Sequence, residues 1–68
     1  MRGDTLIHIA ICDDEKHMSD YMRTNVSNFF RKKNTEIHLR TFASGEELLN
    51  YDGQIDILFL DIQMKGMD

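Results

Sequence analysis

Three short apolar runs, separated by amphipathic or polar stretches, predict the order of the elements along the chain. The segments 6–12 and 57–60 are almost continuously apolar, which is typical of strands that are covered on both faces. The segment 36–42 instead alternates apolar and polar positions, as a strand does when one of its faces is partly solvated. The pattern therefore predicts three strands, of which the second lies at an edge of the sheet.

The stretch between the first two strands predicts a long helix from about Glu15 to about Lys32. Apolar side chains recur there at helical spacing, and we expect the stripe that they form to face the core. Its members are Met18, Met22, Val26, Phe29 and Phe30, with Tyr21 alongside. Basic residues follow at 31–33, where the helix dipole favours cations, and Asn34 is a suitable residue for the end of the helix.

A second, shorter helix is predicted to begin at Ser44. Ser44 and Glu47 have the spacing of a capping box, in which each side chain satisfies a free backbone amide at the start of a helix. We expect this helix to end near Asp52 and Gly53, because glycine readily takes the left-handed conformation that terminates helices.

Strands that alternate with helices imply a doubly wound α/β fold with a parallel sheet. Crossover connections are almost always right-handed. With the second strand at the edge, the predicted strand order is 2-1-3, and the two helices lie on opposite faces. The first and third strands then meet at a topological switch point, where such sheets place their ligands at the carboxyl ends of the strands.

Length, charge and cysteine content restrict the class of protein. The chain has 68 residues, enough for one small domain. Its net charge of −4 argues against nucleic-acid binding by this segment. The single cysteine, Cys12, cannot form an internal disulfide, which favours a reducing, cytoplasmic setting. No apolar run approaches the ~18 residues of a membrane span, so we expect neither a signal peptide nor membrane insertion.

Acidic residues follow the first and third strands at the predicted switch point. Asp13 and Asp14 come after the first strand, and Asp61 comes after the third. Two carboxylates about 4 Å apart near a protein surface repel each other by ~4 kcal/mol, so three of them favour a bound cation. Mg²⁺ prefers oxygen ligands of this kind, and Asp61 at the end of a stiff strand could act as a nucleophile toward phosphorus.

The combined motifs resemble the receiver domain of two-component response regulators, which has a CheY-like, flavodoxin-like fold. They are the acids Asp13-Asp14-Glu15 after a strand, the helix start at Ser44-Gly45-Glu46-Glu47, and Asp61-x-x-Met64-x-Gly66-Met67-Asp68 after a strand. The resemblance implies that Asp61 accepts a phosphoryl group with the help of Mg²⁺. It also implies that Asp14 binds the metal directly, Asp13 binds it through water, and Gln63 binds it through its backbone carbonyl.

The resemblance also implies partners and a setting. A sensor histidine kinase would be the phosphodonor in a phosphorelay that controls transcription, and the motifs look most like regulators with a LytTR-type DNA-binding output domain. Any phosphotransfer would be self-catalysed, so the chain is not a conventional enzyme. Residues 1–68 correspond to the N-terminal half of a receiver domain, without the later strands, the later helices or an output domain. We therefore expect self-association through the exposed third strand.

Several alternatives remain open from the sequence. Asp13 and Asp14 could be ordinary helix-start acids, and Asp61 could be a turn residue. The chain could be an inactive structural or interaction fragment that keeps the acidic metal pocket but cannot switch. A haloacid-dehalogenase-type phosphatase fits poorly, because it requires an aspartate where Gln63 stands, and an isolated Ca²⁺ loop fits worse. The histidines His8, His17 and His38 have no ligand spacing with any acid and are interpreted as structural or exposed.

Overall fold

The computed structural model describes residues 6–60, which form a three-stranded sheet with two helices. The elements in chain order are β1 (Leu6–Cys12), α1 (Lys16–Lys32), β2 (Glu36–Phe42), α2 (Gly45–Leu49) and β3 (Ile57–Leu60). Neither helix of this part of the chain is long and apolar enough to cross a membrane.

The sheet is parallel, with strand order β2-β1-β3. Ile9 is the register partner of Leu39 on one side and of Ile57 on the other, and Cys12 is the partner of Phe42 and Leu60. The predicted β-α-β-α-β arrangement with strand order 2-1-3 is confirmed, and it matches the first half of a CheY-like sheet.

The two helices pack against opposite faces of the sheet, as the predicted topology requires. On one face, Ile9 and Ile11 form a core with Val26 of α1. On the other face, Ala10 and Cys12 pack with Phe42. This second cluster is bordered by the partly buried side chains of Leu48, Tyr51 and Ile55. Successive side chains of a strand point to opposite faces of the sheet, so the side chains of β1 contribute alternately to the two cores.

The core-facing stripe of α1 is narrower than the sequence predicted. Met22, Val26 and Phe30 contact the core as expected. Met18 and Phe29 do not belong to this stripe, because their side chains are 45% and 53% exposed. A helix turns by about 100° per residue, so the apolar positions of α1 fall into two adjacent stripes, and contact with the flat sheet buries only one of them.

Asn34 ends α1 in the left-handed conformation, in agreement with the expected role of this residue. Its φ is 56°, a value that asparagine tolerates better than most residues. The amide of Thr35 donates to the carbonyl of Phe30 at 3.0 Å, and the amide of Asn34 donates to the carbonyl of Arg31 at 3.0 Å. Carbonyls of the last turn are satisfied in this way, and the chain reverses directly into β2.

The predicted end of α2 was wrong. The helix stops at Leu49, and its cap residue Asn50 has right-handed angles (φ −86°, ψ −4°). Gly53 lies beyond the helix and is small for a steric reason, since a Cβ at this position would collide with the side chain of Tyr51. The ring of Tyr51 packs against Phe42, with 5.2 Å between the ring centroids.

Asp56 fixes the entry into β3 through a reciprocal pair of bonds to His8. The amide of Asp56 donates to the carbonyl of His8 at 2.7 Å, and the amide of His8 donates to the Asp56 carboxylate at 2.8 Å. The hydrogen bond from the backbone amide of His8 is the largest cause that holds the pKa of Asp56 below its ordinary value of 3.8, and the bond from the Gln54 side chain is the second. Both bonds favour the charged carboxylate.

We expect Ile11→Ala to lower the free energy of unfolding by about 2–5 kcal/mol, because the side chain is fully buried and its loss leaves a cavity. Ile11 is 1% exposed. Leu49→Ala is the matched control, because Leu49 is 85% exposed and its truncation should change the free energy by less than about 0.5 kcal/mol. Urea denaturation followed by circular dichroism measures both. Equal effects at the two positions would contradict the assigned core.

Asp56 should titrate below 3.8 in the folded protein. Because its folded-state pKa is lowered, its contribution to stability is complete above the unfolded pKa and is lost as the pH falls through the folded pKa. A carboxyl ¹³C NMR titration measures the midpoint directly. A midpoint at or above 3.8 would show that the bonds from His8 and Gln54 do not stabilise the charged form.

Candidate functional site

An open cleft of about 370 Å³ lies at the carboxyl ends of the strands. It is formed by the residues that end β1 and β3 and by the loop that leads from β2 into α2. Its lining residues are Cys12, Asp13, Asp14, Ala43, Ser44, Gly45 and Leu60. The cleft therefore occupies the switch point at which doubly wound sheets bind ligands.

Asp13 is held rigidly at the rim of this cleft. It is 9% exposed, and its amide donates to the carbonyl of Phe42 at 3.0 Å. Its Oδ1 accepts a hydrogen bond from the amide of Glu15 at 2.9 Å. Asp13 thus orders the turn that precedes α1, and the same residue lines the cleft.

Asp14 is exposed and lines the same cleft. The turn that Asp13 organises places Asp14 before the first residue of α1. The predicted acids at the start of α1 thus precede the helix, and its first turn contains no acidic residue.

The opposite wall of the cleft is the start of α2. The hydroxyl of Ser44 accepts from the amide of Glu47 at 3.1 Å, which confirms the predicted cap. The Glu47 carboxylate in turn accepts from the amide of Ala43 at 3.0 Å. These two bonds fix the loop that carries Ser44 and Gly45 at the rim of the cleft.

Cys12 lies at the inner end of the cleft, close to three carboxylates. Burial is the largest cause that raises the pKa of the Cys12 thiol above its ordinary value of 9.0, and the charges of Asp13, Glu47 and Asp14 raise it further. A thiol with a raised pKa is a poor nucleophile, so Cys12 acts as a small buried packing residue.

The structure brings only part of the predicted site together. Asp13 and Asp14 share the cleft, whereas Asp61 and Gln63 lie outside the described residues. Within residues 6–60, no group of three or more histidine, cysteine, aspartate or glutamate side chains is arranged to hold a metal ion. The carboxylate oxygens of Asp13 and Asp14 are nevertheless the donors that Mg²⁺ prefers.

Sequence reasoning did not assign Ser44 and Gly45 to the cleft. It treated Ser44 only as a helix cap, and the structure shows that the same loop also lines the site. The position of this helix start in the sequence could have predicted its place in the cleft. It directly follows the carboxyl end of β2, and loops at that end of a parallel sheet surround the binding crevice.

Two curated proteins are similar to this chain, whereas no protein-family model and no solved structure matches it. Both are named heme response regulator HssR, and they come from two strains of Staphylococcus epidermidis. Each is 35% identical over 65 residues, which cover 93% of this chain and 26% of the relative. The chain therefore spans about a quarter of the length of the curated relatives it matches. The chain is thus similar in sequence to part of a response regulator, and its β2-β1-β3 sheet is consistent with a truncated receiver domain.

Proposed function

We propose that this chain is a phosphoacceptor module that receives a phosphoryl group on Asp61 from the phosphohistidine of a sensor histidine kinase. The observation that carries the proposal is the acidic cleft at the carboxyl ends of β1 and β3. Leu60, which precedes Asp61 in the sequence, is the register partner of Cys12, which precedes Asp13. The similarity to a response regulator supports the same reaction class.

The proposed metal is Mg²⁺, held by the carboxylates of Asp13, Asp14 and Asp61 and by the backbone carbonyl of Gln63. The carboxylates of Asp13, Glu47 and Asp14, whose charges add to burial in raising the pKa of Cys12, are consistent with cation binding at this place. One oxygen of Asp13 already accepts from Glu15, which agrees with an indirect role for Asp13 through water and a direct one for the more exposed Asp14. When bound, Mg²⁺ would offset the negative charge of the transferring phosphoryl group.

In the proposed reaction, a carboxylate oxygen of Asp61 forms a bond to phosphorus while the phosphorus–nitrogen bond of phosphohistidine breaks. The departing imidazole nitrogen keeps the bonding electron pair, and the product on this chain is an acyl phosphate. The reaction requires no oxidant and no further co-substrate. Control of transcription, through a LytTR-type or another output domain, stays a prediction for the whole protein.

The second candidate is an inactive interaction or structural fragment that keeps the acidic cleft. It is favoured by the hydrogen bond from Glu15 to Asp13, which gives this acid a structural task that needs no metal. The two candidates differ in whether Asp61 becomes phosphorylated.

We expect acetyl phosphate and Mg²⁺ to add the mass of one phosphoryl group to the chain, measured by intact-protein mass spectrometry. Asp61→Asn should abolish the addition because it removes the nucleophile, and Asp14→Asn should raise the Mg²⁺ concentration that is required. Asp20→Asn is the control, since Asp20 lies on the exposed face of α1 in an ion pair with Lys16. A folded chain that gains no phosphoryl group, or gains it equally in Asp61→Asn, would favour the inactive fragment.

We also propose that two copies associate through β3. Within residues 6–60, β3 pairs only with β1, and its side chains Leu58 and Leu60 are 42% and 49% exposed. An apolar strand edge offers unpaired backbone groups to another strand, and an identical strand presents matching apolar side chains.

Light scattering at micromolar concentration should therefore give the mass of a dimer. Leu58→Lys should shift the equilibrium toward the monomer, because it places a charge in the interface. Leu49→Lys is the control on α2, where the side chain is already exposed. A monomer at all concentrations, or the same shift in both variants, would contradict pairing through β3.

A further inference from the structure

His8 and His38 form a pair of imidazoles on the face of the sheet that carries α2. They are direct register partners on the parallel strands β1 and β2. The centroids of their rings are 5.5 Å apart, and the ring planes are perpendicular. Thirty positions separate the two residues in sequence, so only the strand pairing brings them together.

This separation is compatible with two ligands of a single metal ion. With metal–nitrogen bonds of about 2.0–2.1 Å and a tetrahedral angle, the centres of two ligating imidazoles lie roughly 5–6 Å apart. Each ring can rotate about its own metal–nitrogen bond, so perpendicular planes are compatible with shared coordination.

The backbone positions of both histidines are fixed in the sheet. The amide and the carbonyl of His8 are both bonded to Asp56, at 2.8 and 2.7 Å. His38 lies in the middle of β2. A site on paired strands therefore needs little ordering of the backbone when an ion binds.

The surroundings of the pair admit a cation from solvent. His38 is exposed and His8 is half-buried. Asp56, whose carboxylate bonds to the amide of His8, brings a negative charge to the same place. Arg40 carries a positive charge two positions after His38 on β2, and its guanidinium lies over the ring of Tyr51, 5.0 Å from the ring centroid.

We propose that His8 and His38 form a two-imidazole site for a borderline transition-metal ion such as Zn²⁺ or Cu²⁺. Imidazole nitrogen suits these ions, whereas Mg²⁺ prefers oxygen. Within residues 6–60 no third histidine, cysteine or acidic side chain completes a cluster, so water fills the remaining positions. The site goes beyond phosphoacceptor function, since it uses neither the acidic cleft nor Asp61.

Isothermal titration of the chain with Cu²⁺ or Zn²⁺, in excess Mg²⁺ to occupy the acidic cleft, tests the proposal. We expect one equivalent to bind and the affinity to fall at least tenfold in His8→Gln and in His38→Gln. His17→Gln is the matched control, because His17 is exposed on α1 and should leave the affinity unchanged.

A second measurement uses the unmodified chain, so it does not depend on how the variants fold. Substoichiometric Cu²⁺ should broaden the imidazole NMR signals of His8 and His38 while that of His17 stays sharp. Absence of binding, or equal broadening of all three histidines, would overturn the proposal and leave the pair as an aromatic contact only. Binding that survives in both His8→Gln and His38→Gln would also overturn it.

Discussion

The parallel pairing of β1 with a strand on each side is the constraint on which the rest of the structure depends. β1 is the only strand of the described part that pairs on both sides, and its residues Ile9 to Cys12 are buried. Because parallel strands end at the same edge, this pairing gathers the loops after β1 and β2 and the end of β3 around one cleft. Sheet order therefore brings Asp13 and Asp14 together with Ser44 and Gly45, which lie about thirty positions away in the sequence.

Burial of β1 on both faces also explains why the chain needs two helices of unequal length. The α1 face carries Ile9 and Ile11 and is covered by a helix of 17 residues. The other face carries Ala10 and Cys12, which are smaller, and a helix of five residues together with Tyr51 borders them. The short α2 leaves the amino-terminal part of this face open, and His8 and His38 lie there.

The sequence predicted the strands well, because continuous and alternating apolar runs depend directly on how many faces are buried. It did not determine which apolar positions of α1 face the sheet, since Met18 and Phe29 fit a helical period as well as Met22 and Val26 do. The end of α2 was missed because Gly53 was taken as a left-handed cap, whereas the contact with Tyr51 requires its small size. Asp13 and Asp14 could be placed from strand order alone. The His8–His38 pair could not, because it needs the register and not only the order of the strands.

The acidic cleft and the histidine pair differ in chemistry, and the sheet keeps them apart. Asp13 follows His8 by five positions along β1 and its end, a distance of roughly 16 Å. The cleft offers carboxylate oxygens, which suit a hard ion, whereas the pair offers imidazole nitrogens, which suit a borderline ion. Since Mg²⁺ prefers the oxygen donors of the cleft to imidazole nitrogen, both sites could be occupied together when Mg²⁺ is in excess. Each of the two sites uses residues that lie within β1 or directly after it. An ion that binds the folded sheet and not the unfolded chain would therefore stabilise the fold by mass action.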